Sequence, residues 1–285
     1  MQGERAAALA AFWANELRHG APPLDLATDR VRPPLKTENG RVHDLPLGEV
    51  LTEQVRATAR TLRVTPYMLL LSVYQMFLFL QTGQRRLNIG APTAGRGMPG
   101  SEGVMGHFVN TVVLACEIDP DASFTDLTAA TRERMVRVLD HQDQPFPLLV
   151  EQLRPPRDPS RSPLFQVMYN WNQQRSGAMA KTGDSVALYG DLLKASSTGT
   201  RGATHDLTLN VQDYGNEYRT AWTFNTDLFD DATVAAWSRQ FATLAGQCLA
   251  SPQRPAGAFS LAADADKARV AGRAWRGLSR IGRCH

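Results

Sequence analysis

Thr65-Pro66 opens a run of fourteen residues, Tyr67 to Leu80, broken in polarity only at Ser72 and Gln75. Threonine suits the N-cap and proline the first helical position, so the run reads as a helix. A helix apolar on nearly every side has no face to offer water, and other elements must enclose it. A membrane span takes about 20 residues, so the enclosure here is expected to be protein. With 285 residues, 43% of them hydrophobic, the chain has the material for such a core; chains near this length bury about three quarters of their unfolded surface. The 22 Gly and 17 Pro follow no period, which excludes a fibre or a repeat array.

The neighbours of that helix are legible in turn. Leu9, Phe12, Trp13 and Leu17 share one helical face, and Gly20 with Pro22-Pro23 ends that run. Leu47 to Leu62 is amphipathic, with Val50, Leu51, Val55, Ala59 and Leu62 at helical spacing. Leu87 to Pro92 and Val109 to Ile118 read as strands on either side of the glycine-rich loop 95–106. Ser123 and Asp126 form a capping-box pattern, with Asp for the usual Glu or Gln, before a helix through Leu139. A short helix, Phe146 to Leu153, stops at Pro155-Pro156. Leu164–Trp171, Asp206–Gln212 and Tyr218–Asn225 read as strands, the last two joined at Tyr214-Gly215-Asn216, and Asp231 to Leu249 as a closing helix. Residues 173–203, polar and glycine-rich, are expected to be the least ordered part of the body. This order predicts an α/β (α+β) two-layer sandwich, a mixed β-sheet with helices packed on one face.

Charge and cysteine usage narrow the function classes. The net charge is +3, but residues 263–285 alone carry a net +4, leaving −1 in the other 262 residues. A nearly neutral body with a basic tail lacks the clustered basic face that binds nucleic acid. Cys116, Cys248 and Cys284 are odd in number and share no metal-ligand spacing, so neither a disulfide framework nor a metal site is expected, and a reducing cytoplasm fits. Ala6 to Trp13 lacks a basic leader, so it is expected to be mature protein and not a signal peptide.

Chemistry-bearing motifs are sparse. Gly95-Arg96-Gly97-Met98-Pro99-Gly100 matches GxGxxG in letters, but Pro99, Gly103 and Gly106 oppose the helix a dinucleotide needs there. None of His19, His43, His107, His141, His205 and His285 is spaced to share a metal or marked as a general base. His107 and His141 lie in dense motif context, where a structural role is the expected one. No residue is assigned a catalytic role.

Four segments stand out by combining Gly or Pro with a polar residue beside an aromatic. They are Gly90-Ala91-Pro92-Thr93-Ala94-Gly95-Arg96, Met105-Gly106-His107-Phe108-Val109-Asn110-Thr111, His141-Gln142-Asp143-Gln144-Pro145-Phe146 and Arg157-Asp158-Pro159-Ser160-Arg161-Ser162-Pro163-Leu164. These are loops that turn sharply or approach another chain closely while a few side chains pin them. Asn110 is placed to point its amide into a cleft, and Asp143 and Arg161 to form an internal ion pair.

In this order the segments resemble the later motifs of condensation domains from nonribosomal peptide synthetases, which run GxxxxGR, (I/V)GxFVNT, HQDxPFE and RDxSRNPL. Met105, Pro147, Pro159 and Ser162 are departures. Leu24 to Pro33 is similar to that family's LxLPTDRPRP linker. The resemblance implies a lobe like that of chloramphenicol acetyltransferase, one of two that form a V around a tunnel. It implies three units: residues 1–20 as part of the helix joining the lobes, residues 21–262 as the C-terminal lobe, and residues 263–285 as a poorly ordered tail. The family's catalytic HHxxxDG belongs to the first lobe and occurs nowhere in these 285 residues. The resemblance therefore implies a lobe inactive alone, with Phe108, Asn110 and Thr111 facing the tunnel and Gly95 and Arg96 in a floor loop. Gly106, His141, Gln142, Asp143, Pro145, Phe146, Arg157, Asp158 and Arg161 are implied as structural motif residues. The implied partners are an HHxxxDG-bearing N-terminal lobe and peptidyl carrier proteins. The carriers bring phosphopantetheine arms, and the chain itself is expected to bind no cofactor. A noncatalytic carrier-binding scaffold and a CoA-dependent acyltransferase are the alternatives, the latter disfavoured by the missing histidine pair. A lobe without its partner is also expected to self-associate through exposed apolar surface.

Overall fold

Thr65 caps the central helix as its sequence requires. Its hydroxyl accepts a hydrogen bond from Met68 N at 3.2 Å, Pro66 occupies the first turn, and Gly83, at φ 71°, ends the helix in the left-handed conformation. This computed structural model describes residues 3–95, 104–106, 108–173 and 202–261. Its helices are α1 (Glu4–Glu16), α2 (Gly48–Leu62), α3 (Pro66–Thr82), α4 (Phe124–Asp140), α5 (Phe146–Leu153) and α6 (Asp231–Ala250). Its strands are β1 (Gly40–Pro46), β2 (Arg86–Thr93), β3 (Asn110–Glu117), β4 (Val167–Gln173), β5 (Leu207–Asp213) and β6 (Tyr218–Asn225).

The six strands form one mixed sheet in the order β1-β6-β5-β4-β2-β3. β4 runs parallel to both β5 and β2, and the remaining neighbours are antiparallel. Every residue of α3 from Leu69 to Leu78 is buried, enclosed by the sheet and by α2, α4 and α6. The nucleus is aromatic: Trp222 of β6 meets Tyr74 and Phe77 of α3 and Phe241 of α6 edge-on at 5.5–6.1 Å. The strand faces alternate accordingly. Val167, Tyr169, Leu207, Leu209 and Val211 are buried under the helices, while Met168, Asn170, Thr208, Asn210 and Gln212 lie half-buried on the other face. Among the described residues no single helix is long and apolar enough to cross a membrane.

Two features depart from the sequence reading. β1 was not expected. It pairs antiparallel with β6 from Gly40↔Asn225 to Pro46↔Arg219, and only its partner's hydrogen bonds define it. None of its residues is fully buried, so it carries no clean alternation, as edge strands often do not. β4 starts at Val167, not Leu164, because Leu164 takes φ 66° and Phe165 N bonds back to Pro163 O at 2.8 Å. The Ser123–Asp126 capping box forms as read, with reciprocal bonds of 3.0 and 3.1 Å. Residues 174–201, most of the polar stretch between β4 and β5, and the basic tail 263–285 lie outside the described residues.

Candidate functional site

The first three motifs meet where β2 and β3 part, and the fourth reaches β2 through Leu164 while the rest of it packs on the linker. β2 and β3 pair from Arg86↔Glu117 to Thr93↔Asn110, which places the first motif beside the second. Where they part, Gly95 takes φ 62°, and a Cβ there would lie 1.8 Å from Phe108 O. Glycine is required on both counts. Arg96 and His107 lie outside the described residues. Phe108 and Thr111 are half-buried, and Gly106 is exposed against the Phe108 ring.

Asn110 does not point its amide into a cleft. Its Nδ2 donates to Gln142 O at 2.8 Å and Gln144 O at 2.7 Å, and its Oδ1 accepts from Phe146 N at 3.1 Å. The primary amide is the one small side chain with two donors and an acceptor, and here all are spent on the third motif. His141 follows α4 and stacks on Phe12 of α1 at 3.7 Å, its Nδ1 against Arg137 O at 2.8 Å. Pro145 then opens α5, with Phe146 as its first residue.

Asp143 and Arg161 do not pair with each other. Asp143 pairs with Arg5 of α1, while Arg161 sits 3.5 Å from Asp158 and donates to Leu24 O at 3.1 Å. Asp158 in turn accepts from Ser160 N and Oγ, and these bonds hold its carboxyl below the usual range. Arg157 is exposed. Phe165, the residue directly after the fourth motif, locks onto the first. A Cβ on Gly90 would lie 2.3 Å from that ring, which also meets Phe146 at 5.4 Å and His205 at 5.2 Å. Asn88 Nδ2 completes the contact with Leu164 O at 2.9 Å.

Several residues of the linker 24–36 matter more than their sequence signalled. Arg32 grips Asp206 with both terminal nitrogens, and the pair is mostly buried. Asp29 accepts from Asp230 N at 2.8 Å and Thr233 Oγ1 at 2.9 Å, which ties the linker to the start of α6 from 201 residues away in sequence. Gln166 takes Leu24 N at 2.7 Å. The available signals were the extended, proline-punctuated stretch and the likeness of Leu24 to Pro33 to the LxLPTDRPRP linker, neither of which names the partners.

The described residues hold little proton-transfer chemistry. Burial, and secondarily Lys36, lowers His205 to about 4, so it is neutral near pH 7 and too weak a base for efficient catalysis. Burial raises the Cys116 thiol to about 12 and also raises Cys248, so neither is a ready nucleophile. Between Phe224 and Asp230, Asn225 donates to Thr37 O. Thr37 and Asn39 hold Asp227 below the usual carboxylate range, and Arg30 pairs with Asp230. Among the described residues no three His, Cys, Asp or Glu side chains gather as a metal site.

A mixed six-stranded sheet under a helical layer defines an α/β sandwich, with the first three motif segments brought together where β2 and β3 part. A family model described as "Condensation domain" matches residues 1–270, and the chain belongs to that family. It is 31% identical over 259 residues to surfactin synthase subunit 1 of Bacillus subtilis (strain 168), a match covering 90% of this chain and 7% of that protein. A solved four-domain nonribosomal peptide synthetase bound to AMP and glycine superposes at TM-score 0.81 with 23% identity, over 94% of this chain and 21% of that one. The complex of the X-domain and OxyB from teicoplanin biosynthesis superposes at TM-score 0.78 with 19% identity, over 92% and 56%. The chain thus spans only a small part of the synthetase subunit it matches.

Proposed function

We propose that this chain is the C-terminal lobe of a nonribosomal peptide synthetase condensation domain, with residues 1–20 as the inter-lobe helix and 21–262 as the lobe. The observation that carries the reading is the mutual contact of four ordered motifs, three around the start of β3 and the fourth against β2 and the linker, in a sequence without HHxxxDG. In the reaction proposed, an acceptor amine attacks a donor thioester. The C–N bond forms as the C–S bond breaks, and the proton lost by nitrogen ends on the released thiol. Both substrates ride on phosphopantetheine arms of carrier proteins. The base comes from a separate HHxxxDG lobe, and this lobe supplies a tunnel wall at Phe108, Asn110 and Thr111, a floor loop at Gly95 and Arg96, and part of the carrier docking surface. Holding two tethered reactants in register removes much of the entropic barrier. Asn110 acts here through the turn it holds, since its amide is already engaged.

The test is condensation by the purified chain, alone and with an HHxxxDG lobe, using carrier-bound donor and acceptor. Product is expected only in the mixture; turnover by the chain alone would overturn the reading. A second reading, a noncatalytic docking module, draws support from the likeness to a chain in the complex of the X-domain and OxyB. It predicts carrier binding without product in either arm.

A further inference from the structure

The turn that follows α4 is a receptor for α1. α1 has thirteen residues, a length at which an isolated helix is marginal in water, so its contacts decide whether it stays folded. Leu9 and Trp13 are buried. Trp13 Nε1 donates to His141 O at 3.0 Å, and Phe12 lies flat on the His141 ring, 9° from parallel. Arg5 pairs with Asp143, and Gln152 of α5 donates to Ala10 O at 2.9 Å. At the far end, Arg134 of α4 reaches Glu16 at 2.9 Å, with Arg137 at 3.7 Å, and the Glu16 side chain is nine-tenths buried. Two of the six residues in the third motif, His141 and Asp143, therefore point at α1.

The same turn is fastened to the sheet by one side chain. Asn110, the first residue of β3, binds the backbone of Gln142, Gln144 and Phe146. Trp13 and Asn110 thus grip neighbouring carbonyls of a single turn, His141 O and Gln142 O, from opposite partners.

We propose that residues 141–146 form a socket for α1 and that Asn110 makes this socket part of β3, so strand and helix are held in one fixed relation. This rests on the reading of α1 as the inter-lobe helix for its consequence: the start of β3, where the tunnel residues lie, sets the angle at which the other lobe is carried. His141 and Asn110 are positioning residues for α1.

Amide hydrogen exchange in the full chain tests this, comparing residues 4–16 with β5. Asn110→Ala, which removes hydrogen bonds holding the turn, and His141→Ala, which removes the ring stacked on Phe12, should each speed exchange in 4–16 by about tenfold, the size of one or two net hydrogen bonds or one aromatic contact, while β5 stays unchanged. Phe12→Ala combined with Asn110→Ala should add little beyond Phe12→Ala alone. Unaltered exchange in 4–16, equal acceleration in β5, or effects that multiply would each overturn the socket. If Asn110→Ala fails to fold, Asn110→Asp, which keeps the acceptor for Phe146 N, and His141→Ala give the same reading. Exchange needs no turnover, so failure of an HHxxxDG lobe to restore condensation to the wild-type chain would remove the functional reading and leave the socket standing.

Discussion

Gly90→Ala is the sharpest probe of how the motifs hold one another. Gly90 sits mid-strand, opposite Val113 of β3 and Met168 of β4, and an added Cβ would meet Phe165 Cε2, Cζ and Cδ2 at 2.3, 2.5 and 2.7 Å. Carbon atoms rest about 3.5–4.0 Å apart, so the ring has to retreat by roughly 1 Å or more. It has little room to do so, being 2% exposed and held between Phe146 and His205. Overpacking of this kind costs about 1–3 kcal/mol, and contact with three ring atoms argues for the upper half. For a body of this size that lowers Tm by about 4–12 °C, readable as loss of helical circular dichroism on heating. Phe165→Leu removes the ring, so the double variant should be more stable than the sum of the singles by at least about 1 kcal/mol. A Gly90→Ala protein within about 0.5 kcal/mol of wild type, or an additive cycle, would refute the argument that the first motif is locked by the ring that follows the fourth.

Other outcomes follow from the same contacts. Arg32→Met strands the buried Asp206 carboxylate and should cost about 3–5 kcal/mol by urea unfolding; a loss under about 1 kcal/mol would show the pair to be solvated. His205 has a folded pKa near 4 against 6.5 in the unfolded chain, so the unfolded state gains its proton first as the medium acidifies. Its contribution to stability is present above pH 6.5 and lost as pH falls from 6.5 towards 4, and His205→Phe should flatten that part of the stability–pH curve. Val104, Met105 and Val109 are half or more exposed beside β3, so the chain should self-associate with rising concentration, and Met105→Lys should weaken this in sedimentation. A monomer across all concentrations would contradict it.

The sequence by itself determined the local elements and their order. Thr65-Pro66 fixes the start of α3, Ser123 and Asp126 the start of α4, Pro155-Pro156 the region where α5 ends, and Tyr214-Gly215-Asn216 the β5–β6 hairpin, because caps and turns act over four or five residues and leave their signature there. The four motifs likewise stood out in the sequence by their Gly, Pro and aromatic content. Which residue each polar group serves was decided only by tertiary structure. Asn110 spends its amide on a turn more than thirty residues away, Asp143 takes Arg5 in place of Arg161, and Asp29 holds the residue before a helix that begins at Asp231. β1 exists because β6 lies beside it. Such pairings depend on distances between segments remote in sequence, which no short pattern encodes, and burial then selects the partner that leaves the fewest polar groups unmet.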